Sequence, residues 1–395
     1  MSAFDPSILG HTGQQTDLLH AFTTGRLGNA YLFSGPSGVG KRLVALGLSK
    51  ALVCLTPLDQ RKSGAPCLSC KHCKMVSDGV HPDVQLFKRD KSVFSADHMR
   101  DDVLEWASHR SRAGGSKIGV LDDVESLHTT AANAFLKTLE EPPERTHWIL
   151  LTSDVGGTLA TIVSRCRRVY FEPLRMDQLE VLSQQALMPA LKEALELRAK
   201  NRTDAGIKGA ADEAPEDDDE DAWDREERTG MDALLTPGER SFLLAISQGS
   251  PGALLRAAED DTYLIRDWLL EFLLAPKHEG GVAASETLLT RITRKSEKKQ
   301  DQLRSRLIWV ISLAQTWLMD AASLQSSDRA KLCNQDRLRQ LKRWAKGRDP
   351  RDLILVIDRF DELKSAIASN ASPKLVAANF MLELGQLRGD SKIPQ

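Results

Sequence analysis

The sequence predicts an α/β domain built on a doubly wound parallel sheet, followed by an all-helical remainder. Three observations carry that expectation. The apolar run Ala30-Tyr31-Leu32-Phe33 passes through Gly35-Pro36-Ser37-Gly38-Val39-Gly40-Lys41-Arg42 into the apolar stretch Leu43 to Leu48, which reads as strand, glycine-rich loop and helix. Strands then alternate with helical stretches as far as Pro173, the arrangement of a parallel sheet covered on both faces. From Arg175 onward the apolar spacing is helical throughout.

In chain order, Thr16 to Arg26 is amphipathic and reads as a helix before the first strand. The helix after the glycine loop is expected to reach about Cys54, and a cysteine-rich excursion follows to Pro82. Asp83 to Phe87 reads as a strand. Ser95 to Ser108 has helical spacing, with Met99, Val103 and Trp106 on one side. Gly114-Gly115 opens the strand Lys117 to Leu121, which ends at Asp122-Asp123. Thr129 or Thr130 can cap a helix over Ala131 to Glu141, and Pro142-Pro143 stops it because proline cannot continue the hydrogen-bond ladder. His147 to Thr152 is apolar enough for burial on both faces, and Arg168 to Phe171 is one further strand.

The helical remainder begins with Met176 to Ala199 and returns at Gly238 to Ser247 and Pro251 to Glu259. Between them, Lys200 to Thr229 is polar and acidic, a composition that favours disorder. Six more helical stretches follow, from Asp261 to Leu387. A chain of 395 residues exceeds one ordinary domain. The expected division is 1–174 for the α/β domain with a cysteine module at 54–73, 175–259 for a small helical domain holding the 200–229 insertion, and 260–390 for a helical third domain.

A 41% hydrophobic and 27% charged composition is that of an ordinary globular protein. The net charge of −2 conceals eleven acidic residues and two arginines between Asp212 and Arg228, so the rest of the chain is mildly basic. That permits nucleic-acid contact without pointing to it. No apolar run is read as approaching bilayer length, and Met1 to Leu9 lacks a basic region followed by an apolar core, so a cytoplasmic protein is expected.

The loop residues Gly35, Gly38, Gly40 and Lys41 suit phosphate: backbone N–H groups close around the oxygens and the helix N-terminus adds a positive dipole end. Arg42 stands where a Ser or Thr hydroxyl would hold Mg²⁺. Asp122 and Asp123 stand where carboxylates hold the metal and polarise water, though Asp123 is shorter than a Glu. A retained glycine turn beside solvated acids is the competing reading, and nucleotide binding stays open. Cys54, Cys67, Cys70 and Cys73 are spaced C-x12-C-x2-C-x2-C, which predicts a closed four-thiolate structural zinc site, with His72 and His81 as nearby alternatives. Cys166 and Cys333 stand alone. Arg165, in Ser164-Arg165-Cys166, is by itself as well read as a surface ion pair as a guanidinium aimed at a neighbour's phosphate.

These strings together resemble bacterial clamp-loader proteins of the AAA+ class, specifically over Ile8 to Pro173 and more weakly beyond. Ala132-Asn133-Ala134-Phe135-Leu136-Lys137-Thr138-Leu139-Glu140-Glu141-Pro142-Pro143 is similar to the family's most recognisable segment, and Ser164-Arg165-Cys166 to its arginine-finger motif. Asn370 to Leu375 is similar to its C-terminal collar signature. The resemblance implies an AAA+ domain, a helical lid and a collar, partners among tau/gamma and delta subunits, indirect contact with the sliding clamp, primed DNA reached through the assembly, and no membrane. Arg165 would be a finger acting in trans. Arg42, Asp123 and Gly252, the last standing where the tau/gamma motor carries a nucleotide-sensing arginine, suit a partner subunit of the polymerase holoenzyme with little ATPase of its own. An active motor, and a stand-alone zinc-containing DNA-binding protein, are the alternatives.

Overall fold

Period-two alternation of apolar side chains builds the sheet of the α/β unit. The strands are β1 (Ala30–Ser34), β2 (Val84–Phe87), β3 (Lys117–Leu121), β4 (Thr146–Thr152) and β5 (Arg167–Tyr170), all parallel, in the order β2-β3-β4-β1-β5. In β1 and β4, Tyr31, Phe33, Ile149 and Leu151 enter one core with Val44 and Leu48 of the helix Lys41–Val53. Their neighbours Leu32, Trp148 and Leu150 enter a second core with Phe135 and Leu139 of the helix Thr129–Glu140. Both faces of the sheet are therefore covered, as doubly wound connections demand. Gly119 lies opposite Trp148 in register, and a Cβ there would come within 2.1 Å of the indole. The bulk of Trp148 is thus accommodated by an absent side chain across the ladder.

This computed structural model describes residues 3–5, 8, 10–89, 94–205, 231, 234–274, 281–293, 300–326 and 331–388. Two units pack separately: Met1–Leu182 with Gln248–Ala253, and Ser183–Ser247 with Leu254–Gln395. Strand boundaries agree with the sequence reading to within one residue. The cap of the helix Thr129–Glu140 does not: it is His128, whose Nδ1 accepts from Thr130 N–H, and neither threonine serves. The stretch Ser95 to Ser108 is helical with a π turn at Met99–Leu104, which turns Met99 and Val103 inward and leaves Trp106 half-buried.

The second unit is helical. Residues 200–205 of the acidic insertion continue the helix Met188–Ala205, and residues 206–230 lie outside the described ones. Arg266, 1% exposed, sits between the rings of Phe242 and Tyr263 and is held by Asp267 and Asp336. Burial of so large a charge is tolerable because two carboxylates and two π faces replace water.

One sequence expectation is corrected here. The span Gln302–Ser326, with a hydropathy of 1.4, is long and apolar enough by composition to cross a membrane. Its helix, Gln300–Ser326, packs against Pro350–Ala368 and buries Leu307, Val310, Ile311, Trp317 and Leu318. Asp320 accepts from Cys333 N–H and Asn334 N–H, and Gln315 Nε2 donates to Ile357 O. Inward polar residues with protein partners mark it as the core helix of this unit.

Candidate functional site

The carboxyl ends of β1, β3 and β4 bring the glycine-rich loop, Asp122-Asp123 and Ser153 to one rim of the sheet, where ligands bind in open α/β folds. Gly35, Gly38 and Gly40 all have positive φ, and Gly38 at +79° sits at the loop tip. Beneath it lies the segment Gln248–Ala253, which packs with the α/β unit. Gly252 N–H donates to Gly38 O at 3.0 Å and Ser250 Oγ donates to Ser37 O at 2.8 Å. A Cβ on Gly252 would lie 2.8 Å from Gly38 Cα, so the two backbones touch.

Lys41 is buried and turned onto its own loop: Nζ donates to Gly35 O at 2.5 Å and Pro36 O at 2.8 Å. Burial pulls its ammonium below the usual range, while the charges of Glu125, Asp122 and Asp123 act the other way. Arg42 is half exposed and pairs with Asp122 at 3.8 Å. Burial, reinforced by the charge of Asp123, pushes the Asp122 carboxyl up, and Arg42 opposes that. Asp123 adopts the left-handed conformation, φ 57°, and pairs with Arg89 at 3.4 Å. The rim thus holds the residues expected from the sequence, with the Arg42 guanidinium beside the Asp122 carboxylate.

Three neighbours were not legible in the sequence. Glu125 accepts from Ser153 N–H at 3.0 Å and Ser153 Oγ at 2.5 Å, across the gap between β3 and β4. His11 Nε2 bonds Val39 O at 2.9 Å, beneath the loop. Glu140 holds Arg165: its Oε1 accepts from Nε at 2.6 Å and from a terminal nitrogen at 2.5 Å. The other terminal nitrogen donates to Thr161 O at 3.0 Å. Ser164 Oγ also accepts from that nitrogen at 3.4 Å, so of the five N–H groups of this partly exposed guanidinium one remains, on the terminal nitrogen bonded to Glu140. For Glu140 the available signal was a carboxylate just before the Pro-Pro stop.

The four cysteines converge. Cys54 follows the helix Lys41–Val53, and Cys70 and Cys73 cap and enter the helix Lys71–Ser77, so that all four Sγ atoms lie within 4.8 Å of one another. A tetrahedral zinc with Zn–S of about 2.3 Å needs sulfurs about 3.8 Å apart, so the set fits the ion with a small contraction. Backbone N–H groups of Cys67, Cys70 and Cys73 donate to the sulfurs of Cys54, Cys67 and Cys70. The Thr56 hydroxyl, with further hydrogen bonds, draws the Cys67 thiol down to about 5, whereas burial pushes Cys73 up. His72 Nδ1 bonds Val53 O and His81 Nδ1 accepts from Asp83 N–H, so neither histidine joins the cluster. Burial pushes the Cys166 and Cys333 thiols up to about 12 and about 11, which disfavours the reactive thiolate.

Residues 10–175 match the family described as DNA polymerase III, delta subunit. The chain is 33% identical over 172 residues to DNA polymerase III subunit tau of Escherichia coli (strain K12), covering 44% of this chain and 26% of that protein. It is 33% identical over 190 residues to subunit delta′ of Bacillus subtilis (strain 168), covering 48% and 56%. Subunit delta′ of Escherichia coli (strain K12) is 32% identical over 203 residues, covering 49% and 56%. The chain therefore spans between a quarter and just over half of these relatives. A solved gamma subunit-related protein of Thermotoga maritima covers 93% of this chain and 99% of its own at 17% identity, with a TM-score of 0.44.

Proposed function

We propose that the protein, whose residues 10–175 match the DNA polymerase III delta-subunit family, is a delta-prime-type clamp-loader subunit, a rigid partner that does not turn over ATP. The observation that carries this reading is Arg42 on Asp122 in the place of a metal, with Lys41 spent on loop carbonyls. A motor needs both groups free for Mg²⁺ and phosphate. Gly252 and Ser250, fastened to the loop tip, add to the argument.

In this reading the chain works in a ring with tau/gamma and delta subunits in the cytoplasm, and meets the sliding clamp and primed DNA through that assembly. Residues 1–174, 175–259 and 260–390 serve as AAA+ domain, lid and collar. Cys54, Cys67, Cys70 and Cys73 hold a structural zinc, which supplies stability and no chemistry. Arg165 is the residue that touches ATP chemistry, reaching a neighbouring motor's nucleotide with the N–H that Glu140, Thr161 and Ser164 leave over.

Two measurements test it. Equilibrium binding of ATP to the purified chain, with and without Mg²⁺, is expected to show no metal-dependent affinity and no hydrolysis. Tight MgATP binding with turnover, lost in Lys41→Ala, would make the chain a tau/gamma-type motor. In the assembled complex, Arg165→Ala is expected to lower hydrolysis at one site by on the order of 10³. Unchanged DNA-stimulated ATPase and clamp loading would remove the arginine-finger role.

A further inference from the structure

The sheet ends at β5, and one side of that strand is open. In the parallel ladder with β1, Ser34 lies opposite Tyr170 and its carbonyl accepts from Phe171 N–H, so the backbone groups of every second residue, Arg167, Val169 and Phe171, face β1. Those of Arg168 and Tyr170 face outward. Tyr170 O is taken by a side chain, since Gln14 Nε2 donates to it at 2.8 Å. The Arg168 N–H, the Arg168 carbonyl and the Tyr170 N–H have no partner among the described residues. A groove of about 510 Å³ runs along this edge, between β5 and the helix Thr12–Thr23. Val169 packs against the core cluster that contains Leu18 of that helix, so the side chains of Arg168 and Tyr170 point to the opposite face of the sheet. Leu18 and Ala21 give the groove an apolar wall, and its charged residues, Arg167, Arg168 and Asp17, leave it positive. Arg167 is tied to Arg26 O at 3.1 Å, whereas Arg168 is exposed and has no ion-pair partner among the described residues.

Open strand-edge groups in register, with a groove beside them, select an extended chain over a compact ligand. A strand laid along β5 would pair through its backbone with Arg168 and Tyr170, and its side chains would alternate between the Leu18 face and the Arg168 face. The first face favours apolar residues and the second acidic ones. A second copy is a poor occupant, because pairing two β5 edges sets the arginines of one against those of the other. We propose that the open edge of β5 docks an extended segment of a partner protein in which acidic and apolar residues alternate, with the Gln14 amide holding the place of one backbone donor. The site is separate from the glycine-rich loop and does not depend on the assignment of the chain as a clamp-loader subunit.

The probe is a short fluorescein-labelled peptide of alternating glutamate and valine, followed by fluorescence anisotropy as the full chain is added. Saturable binding is expected, weakened by salt. Arg168→Glu sets like charges against each other and is expected to weaken binding about tenfold or more. Arg168→Pro is expected to abolish it while the sheet keeps its own bonds, because the lost N–H points away from β1. Gln14→Ala uncovers Tyr170 O and is expected to tighten binding, which diffuse attraction between charges would not do. Melting temperatures identify any variant that fails to fold, and the fully N-methylated peptide, which has no backbone donors, repeats the test on the wild-type chain, where it is expected not to bind. No saturable binding, or equal affinity for the N-methylated peptide, overturns the proposal. A wild-type dimer that Arg168→Pro dissociates would make a second copy the occupant, and binding seen only after deletion of residues 212–228 would give the edge to this chain's own acidic stretch; either result overturns it as well.

Discussion

Arg42 lies one position past the lysine of a phosphate-type loop, and what it does depends on Asp122, which the sequence separates from it by eighty residues. The substitution was legible; its partner was not, because a parallel sheet with β4 between β1 and β3 must form before the two groups meet. Restoring the hydroxyl should not restore a motor. Arg42→Thr is expected to leave steady-state ATPase of the isolated chain at background, because Asp123 remains left-handed, bound to Arg89 and one methylene short of a Glu; measurable Mg²⁺-dependent turnover would show that Arg42 alone disables the site. Glu140 is the second residue-scale case. It takes Nε and one terminal N–H of Arg165 along a single edge and so fixes the orientation of the guanidinium. Glu140→Gln keeps an acceptor but loses the charge, and is expected to lower kcat of the assembled complex roughly tenfold with KM for ATP unchanged. A rise in KM with kcat intact would place Glu140 in nucleotide binding instead.

At the scale of elements, the glycine-rich loop is held from both sides, by His11 on Val39 O and by the segment Gln248–Ala253 on the loop tip. The loop itself was legible, because glycines, lysine and the flanking strand and helix are contiguous. The brace was not legible from the residues themselves, because Ser250 is 213 residues from Ser37; only the resemblance, which sets Gly252 where a motor senses nucleotide, tied this segment to the loop. Gly252→Ala places a Cβ 2.8 Å from Gly38 Cα and 3.2 Å from Gly38 O, backbone atoms that cannot rotate away. It is expected to cost about 1–3 kcal/mol, read as a lowered urea midpoint. An unchanged midpoint would mean that the loop tip yields freely. The cysteine module was legible for the opposite reason, since three of its thiols lie within seven residues and the fourth ends the preceding helix. With the proposed zinc bound there, a chelator should lower the melting temperature and disorder the helix Lys71–Ser77, whereas Cys166 and Cys333 should react slowly in the native chain.

For the whole molecule, the parallel sheet and its strand boundaries followed from apolar period and from proline and glycine punctuation, as at Pro142-Pro143 and Gly114-Gly115, whereas the first helix, expected over Thr16 to Arg26, runs Thr12–Thr23. What the sequence concealed was charge and polarity placed inside: Arg266 between two rings, Asp320 within an apolar helix, His81 and His147 within the α/β unit. The histidines make the two units unequal towards acid. Among the described residues every histidine belongs to the α/β unit, and burial pulls His11, His81 and His147 below the ordinary value of 6.5, with a backbone bond opposing it at His11 and His147. The sign follows from proton uptake. The unfolded chain protonates these rings near 6.5 and the folded unit does so only at lower pH, so their contribution is complete above 6.5 and is lost as pH falls from 6.5 through the folded values. Each ring contributes a slope of at most about 1.4 kcal/mol per pH unit within its window. Hydrogen exchange at pH 7.5 and 5.5, corrected for the intrinsic rate, is therefore expected to lose more protection in peptides of β1 to β5 than in the helices Gln300–Ser326 and Pro350–Ala368. His147 stands apart from the cysteine cluster and bonds Gly28 O, so His147→Asn should reduce that loss without altering metal content. Equal loss in both units, or a helical unit that opens first, would mean that carboxylates rather than buried imidazoles set the acid limit of the fold.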